Sequence, residues 1–105
     1  MNVLLDECLP KKLKRELEAD VVRTVPEMGW AGTKNGTLLH LVQREFNVFL
    51  TSDQNLEPQQ NLLQFDVAVI VLIAATNDIE DLKQPMPAVN TALKSIRARE
   101  IRYVK

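Results

Sequence analysis

The chain has 105 residues, 46% of them apolar and 26% charged, a size and make-up that suit one globular domain and leave no room for two proper cores. Its 13 basic and 14 acidic residues give a net charge of -1, which excludes a whole-molecule field for nucleic acid, so any polyanion contact must come from a local patch. Cys8 is the single cysteine; this rules out an internal disulfide or a cysteine-based zinc site and fits a reducing cytoplasm.

The opening Met1-Asn2-Val3-Leu4-Leu5-Asp6-Glu7 has no charged region followed by an apolar stretch, so it does not read as a signal peptide. Val3 to Leu5 is a compact apolar run ending in Asp6 and predicts the first strand. Leu9, Leu13 and Leu17 follow at intervals of four, one face of a helix, with Lys11, Lys12, Lys14 and Arg15 on the others. Pro10 suits the first turn of that helix, where its missing N–H costs nothing.

Val21 to Val25 predicts the second strand, and Pro26 with the Gly29–Gly32 stretch marks a loop. Asn35 is a good N-cap for a second helix running through Leu38, Leu39, Leu41, Val42 and Phe46. Val48 to Thr51 predicts the third strand, followed by Ser52-Asp53 and a polar segment, Gln54 to Gln64, with room for one short helix. Val67 to Ile73 is the most apolar strand and belongs at or near the centre of a sheet, buried on both faces. The whole apolar run, Val67 to Ala75, is far below the roughly 20 residues of a membrane span. A helical face then runs from Ile79 to Ile96, divided by Pro85 and Pro87 into a short turn and a main helix from about Pro87. Ile101 to Val104 closes the chain as a fifth strand.

This alternation predicts an α/β fold of one domain, residues 1–105: three layers, with a mostly parallel five-stranded sheet and helices on both faces. The preferred strand order is 2-1-3-4-5. Ligands of such sheets bind beyond the carboxyl ends of the strands, where the strand order reverses. Here that crevice lies beside the ends of strands one and three. Asp6 ends one and Asp53 follows the other. Neighbouring strands lie about 4.8 Å apart, so both carboxylates can reach one cation. Glu7 could add a ligand or an outer acceptor, and a hard ion such as Mg²⁺ is commonly held by one or two carboxylates with waters. The plainer alternative stays open: solvated strand-end acids, or acids favoured at the first turn of the next helix.

Three segments in order resemble a short family of bacterial PIN-like proteins. They are Val3-Leu4-Leu5-Asp6-Glu7-Cys8-Leu9-Pro10, Glu27-Met28-Gly29-Trp30-Ala31-Gly32-Thr33-Lys34-Asn35-Gly36, and Leu50-Thr51-Ser52-Asp53-Gln54-Asn55-Leu56. The resemblance implies an endoribonuclease dependent on Mg²⁺ or Mn²⁺, with Asp6, Asp53 and Glu7 as its catalytic acids. It also implies a metal set of Asp6, Asp53, Glu7 and Asn35. A toxin role follows from it, with RNA as substrate and a small antitoxin of DNA-binding character as partner; a homodimer is compatible. Asn35 and Asn55 stand where the family usually offers acids, which weakens cation affinity and keeps a second reading open, a catalytically degenerate PIN-like protein-interaction module. The expected location is the cytoplasm, with no membrane association.

Lys11, Lys12 and Lys34 are candidates for substrate phosphates, although solvated faces explain each singly. His40, the only histidine, falls off the leucine stripe and reads as a partly exposed helix residue. Cys8 reads as a small apolar packer, since Asp6 and Glu7 oppose its thiolate. Trp30 is expected to cap the core, with base stacking or a partner contact as alternatives. Arg97, Arg99 and Arg102 read as solubilising charges, and Gln59-Gln60-Asn61 as a polar cluster able to bond backbone or nucleotide edges.

Overall fold

A computed structural model describes residues 1–56 and 61–105. Five strands, β1 (Asn2–Leu5), β2 (Val21–Thr24), β3 (Val48–Thr51), β4 (Ala68–Leu72) and β5 (Ile101–Val104), form one all-parallel sheet in the order β2-β1-β3-β4-β5. Every strand prediction agrees to within a residue or two at its ends. The helices are α1 (Asn35–Glu45), α2 (Ile79–Lys83) and α3 (Met86–Leu93), with short 3-10 helices at Lys11–Glu16 (η1), Pro26–Met28 (η2) and Leu62–Gln64 (η3). Gln59 and Gln60 of the polar cluster lie outside the described residues.

Side chains alternate along a strand, and here the alternation feeds two separate apolar clusters. Val3, Leu5, Val48, Leu50 and Ile70 meet Leu13 of η1, Leu82 of α2 and Val89 of α3. Leu4, Phe49, Val69 and Val71 meet Leu38, Leu39 and Val42 of α1. All residues of β3 and β4 are therefore buried, which is why both strands read as unbroken apolar runs. The edge strand β5 is only half covered, and Tyr103 stands 46% exposed.

Two helix predictions need correction. The segment after β1, expected as a helix on the four-residue spacing of Leu9, Leu13 and Leu17 with Pro10 in its first turn, is a 3-10 helix over Lys11–Glu16 with Pro10 as its extended N-cap. Its buried face is nonetheless the expected one, Leu9, Leu13 and Leu17. The winding tightens because the segment is closed by i to i−3 bonds from Leu13 N to Pro10 O and from Leu17 N to Lys14 O. Asn90 of α3 then grips the exit: its amide donates to Glu16 O at 2.9 Å and accepts from Glu18 N at 2.9 Å. Asn35 is the first residue of α1 and not its cap; Lys34 takes the cap position with extended backbone and no side-chain cap bond. The expected division near the prolines holds, with α2 ending at Lys83 and α3 starting at Met86.

Trp30 packs against the second cluster and sets its ring edge-on to Phe46 at 6.3 Å, as a core cap should. The glycines on either side both have positive φ, 77° and 79°, and Gly29 ends η2 in the left-handed conformation that side chains resist.

Leu13 is the one residue of η1 with no exposed surface, and it is what fixes η1 to the sheet. Leu13→Ala is expected to lower stability by about 2–5 kcal/mol, the range for truncating a buried leucine, measured by urea unfolding.

Candidate functional site

The site begins with the backbone ladder. Leu5 is in register with Leu50, and Asp6 N donates to Leu50 O at 2.9 Å, which carries the β1–β3 pairing one residue past the strand. Asp6 and Thr51 thus arrive side by side at the carboxyl end of the sheet. Thr51 Oγ1 donates to Asp6 Oδ2 at 2.7 Å and accepts from Asp53 N at 3.0 Å. Thr51 has no exposed surface, so its hydroxyl must find partners inside the protein. It finds them in the two carboxylate residues singled out from the sequence.

The other oxygens are also placed. Asp6 Oδ1 accepts from Glu7 N at 2.8 Å. Asp53 Oδ1 accepts from Asn55 N at 2.9 Å, while Leu56 N donates to Asp53 O at 3.3 Å, so a local turn holds Asp53 just beyond β3. Cys8 lies 3.2 Å through Sγ from Ser52 Oγ and 3.8 Å from Thr51 Oγ1. It is exposed, which corrects the expectation of a small apolar packer. The turn after β1 sends Leu9, with Leu9 N bonded to Asp6 O at 3.0 Å, into the core and leaves Cys8 at the rim.

Burial pushes the Asp6 carboxyl above its ordinary value of 3.8, opposed by the hydrogen bonds from Thr51, Glu7 N and Cys8 and reinforced by the neighbouring Glu7 charge. Partial desolvation outweighs the donors because burial disfavours the charged form directly.

Glu7 and Asn35 are placed differently from Asp6. Glu7 is exposed, and its Oε1 accepts from Gly32 N at 3.3 Å, pinning the loop that carries Trp30. Asn35 opens α1 and takes no part in the hydrogen-bonded set around Thr51. Among the described residues, no group of three or more His, Cys, Asp or Glu side chains is gathered as a metal cage would need. Asp6 and Asp53 are linked through Thr51, whereas Glu7 is bonded to Gly32 N and Asn35 opens α1.

Of the candidate phosphate ligands, Lys11 and Lys12 lie on η1, whereas Lys34 stands at the start of α1. His40 is exposed, edge-on to Phe65 at 4.9 Å and 3.3 Å from the Gln43 amide, as expected of a helix-surface residue. Arg102 pairs with Glu100 at 2.7 Å and Arg99 with Asp66 at 4.0 Å, so these arginines close local surface contacts.

Two polar devices lie outside the reach of apolar periodicity. The Thr51 bridge has as its signal a hydroxyl at a strand end between two acids. The second is the reciprocal pair Thr24–Glu27: Thr24 N donates to Glu27 Oε1 at 2.9 Å and Glu27 N to Thr24 Oγ1 at 3.2 Å. The Thr-x-x-Glu spacing is its legible signature. Lys14, with Nζ at 2.9 Å, pulls the Glu27 carboxyl down to about 2, helped by Thr24 N.

Compared with protein-family models, with curated proteins and with solved structures, the chain gives no significant match in any of the three. No helix among the described residues is long and apolar enough to cross a membrane.

Two outcomes are expected. Thr51→Val keeps the shape but leaves Asp6 Oδ2 and Asp53 N each without a partner, and should destabilise by about 1–3 kcal/mol, with Thr51→Ser largely restoring stability in the same denaturant titration. Because the Asp6 carboxyl is raised in the folded state, the folded protein holds the extra proton between the ordinary value and the raised one. Stability therefore falls as pH rises through that window. Urea unfolding across a pH series should show the wild type losing stability relative to Asp6→Asn on going from acid to neutral pH; a constant difference would contradict this.

Proposed function

We propose that the chain is a three-layer PIN-like domain and a metal-dependent endoribonuclease, with Asp6 and Asp53 as the acids that hold Mg²⁺ or Mn²⁺. The observation that supports this reading is the shared Thr51 hydroxyl, which ties both acidic residues to one point at the carboxyl end of adjacent strands. The donor set fits a hard ion that keeps most of its waters, since two carboxylates, without a nitrogen or sulfur cage, suffice for such a site. When bound, that ion would activate water and offset the charge that develops on a phosphodiester.

The chain's own residues do the rest. Thr51 fixes the Asp6 carboxylate and the Asp53 backbone, so neither has to be reorganised when an ion and a phosphate arrive. Asn55 N orients the Asp53 side chain from the solvent side. Glu7, through Gly32, holds the Trp30 loop, a positioning role in place of the metal ligand the resemblance implies. The resemblance adds a toxin role in the cytoplasm with a small DNA-binding antitoxin as partner.

One observation favours a second reading. With Glu7 bonded to Gly32 N and amides at positions 35 and 55, little negative charge besides the pair of acids is left to hold a cation, and a degenerate protein-interaction module would have no divalent site at all. Both readings meet in one set of measurements on purified protein. The nuclease reading expects cleavage of labelled RNA in Mn²⁺, abolished by chelator and lowered by Asp53→Asn by about 100-fold or more, as when several kcal/mol of charge stabilisation is removed. Equal rates for the variant and the wild type would defeat it. Absence of cleavage together with no calorimetric Mg²⁺ or Mn²⁺ signal would defeat the nuclease reading and is the result the interaction module expects.

A further inference from the structure

Four of the protein's 13 basic residues fall within five positions on η1: Lys11, Lys12, Lys14 and Arg15. They line a surface groove of about 470 Å³. Lys12 and Arg15 also line an adjoining depression of about 290 Å³ with Glu16, Ile79, Glu80 and Lys83, where Glu80 pairs with Lys83 at 3.8 Å. The two depressions share Lys12 and Arg15 and together form one track. Lys11 also borders a third hollow, with Leu9 and Glu27, and Leu9 N is bonded to Asp6 O.

Local neutralisation is incomplete. Glu27 occupies Lys14, which is 23% exposed, and reaches Lys11 only at 3.6 Å with Lys11 73% exposed. Lys12 and Arg15 are both exposed, and neither is engaged by the Glu27 carboxylate that holds Lys14. Long cationic side chains keep their heads in water while their stems lie along the surface, and here they offer charge for phosphates. Sequence-independent single-strand binders track the backbone with a positively charged groove of this kind.

We propose that the η1 groove, with Lys12 and Arg15 at its centre, binds the sugar–phosphate backbone of single-stranded RNA without a metal ion. The naming of the strand as RNA rests on the nuclease reading; the binding does not. Lys34, at the start of α1, is outside this track.

The test is fluorescence anisotropy with a labelled single-stranded oligoribonucleotide in EDTA, over a series of KCl concentrations. Lys12→Gln/Arg15→Gln is expected to weaken binding at low salt at least fivefold. It should also reduce the slope of log affinity against log salt by about 1.4, at about 0.7 per lost phosphate contact on a single strand. Both positions are exposed, and circular dichroism confirms that the variant is folded. Lys94→Gln/Arg97→Gln removes two exposed cations beyond the end of α3 and should bind like wild type. Equal weakening in both double variants, undetectable wild-type binding at low salt, or binding only to anionic phospholipid vesicles would overturn the proposal. Groove-dependent binding without cleavage in Mn²⁺ would refute the nuclease reading alone. Cleavage and binding both unchanged in Lys12→Gln/Arg15→Gln would refute the groove alone.

Discussion

The Thr51 hydroxyl is the constraint on which the candidate site depends. A buried hydroxyl has one proton to give and can accept in return, and here it gives to Asp6 and accepts from the backbone of Asp53. Had position 51 been an aliphatic residue like its neighbours in β3, the strand would bury equally well, but the two acids would have nothing in common. A fully enclosed polar side chain in an otherwise apolar strand disfavours folding unless its hydrogen bonds are complete. Completing them is what brings the carboxyl ends of β1 and β3 into one polar unit.

That unit sits on the least forgiving part of the fold. Two apolar clusters press on β3 and β4 through alternating residues, so strand register and direction are set by packing long before any polar contact matters. The polar bridge then uses the first positions where the sheet gives way to loops. Burial raises the Asp6 carboxyl even with three donors aimed at it, which marks it as a group whose charged form is held against its solvation preference. A nearby cation would favour that charged form, and perturbed acids of this kind gather where chemistry is done.

Much of this was legible in the residues. The runs Val3–Leu5, Val48–Thr51 and Val67–Ile73 predicted the strands, and the last was legible as buried on both faces because it has no polar position to confuse the pattern. The order 2-1-3-4-5 was the preferred one among those that right-handed crossovers leave open, and it is the order observed. Less legible was anything decided by one local bond. The leucine spacing of 9, 13 and 17 reports a buried face, not the winding, and i to i−3 closure from Pro10 made η1 a 3-10 helix. Asn35 has the chemistry of a cap, yet the chain turned into α1 one residue earlier, at Lys34. Glu7 differs from Asp6 for a geometric reason: it lies one residue beyond the last ladder bond, in the turn, where it can reach Gly32.

Charge segregation ties the acidic mouth to the basic groove. A protein of net charge -1 can hold an anionic chain only if its cations are concentrated, since fields from mixed surface charges are screened within about 10 Å at moderate salt. On η1 they are concentrated by the helix itself: Leu13 faces the core and leaves Lys12 and Arg15 pointing outward. Glu27 restrains this concentration without abolishing it, because its carboxylate is shared by Lys14 and Lys11 and leaves the outer pair alone. The same leucine that anchors η1 to the sheet thus determines which cations face solvent. The turn from Asp6 through Leu9 joins that basic helix in sequence to the half-buried carboxylate, and core packing, rather than long-range attraction, fixes where the helix lies.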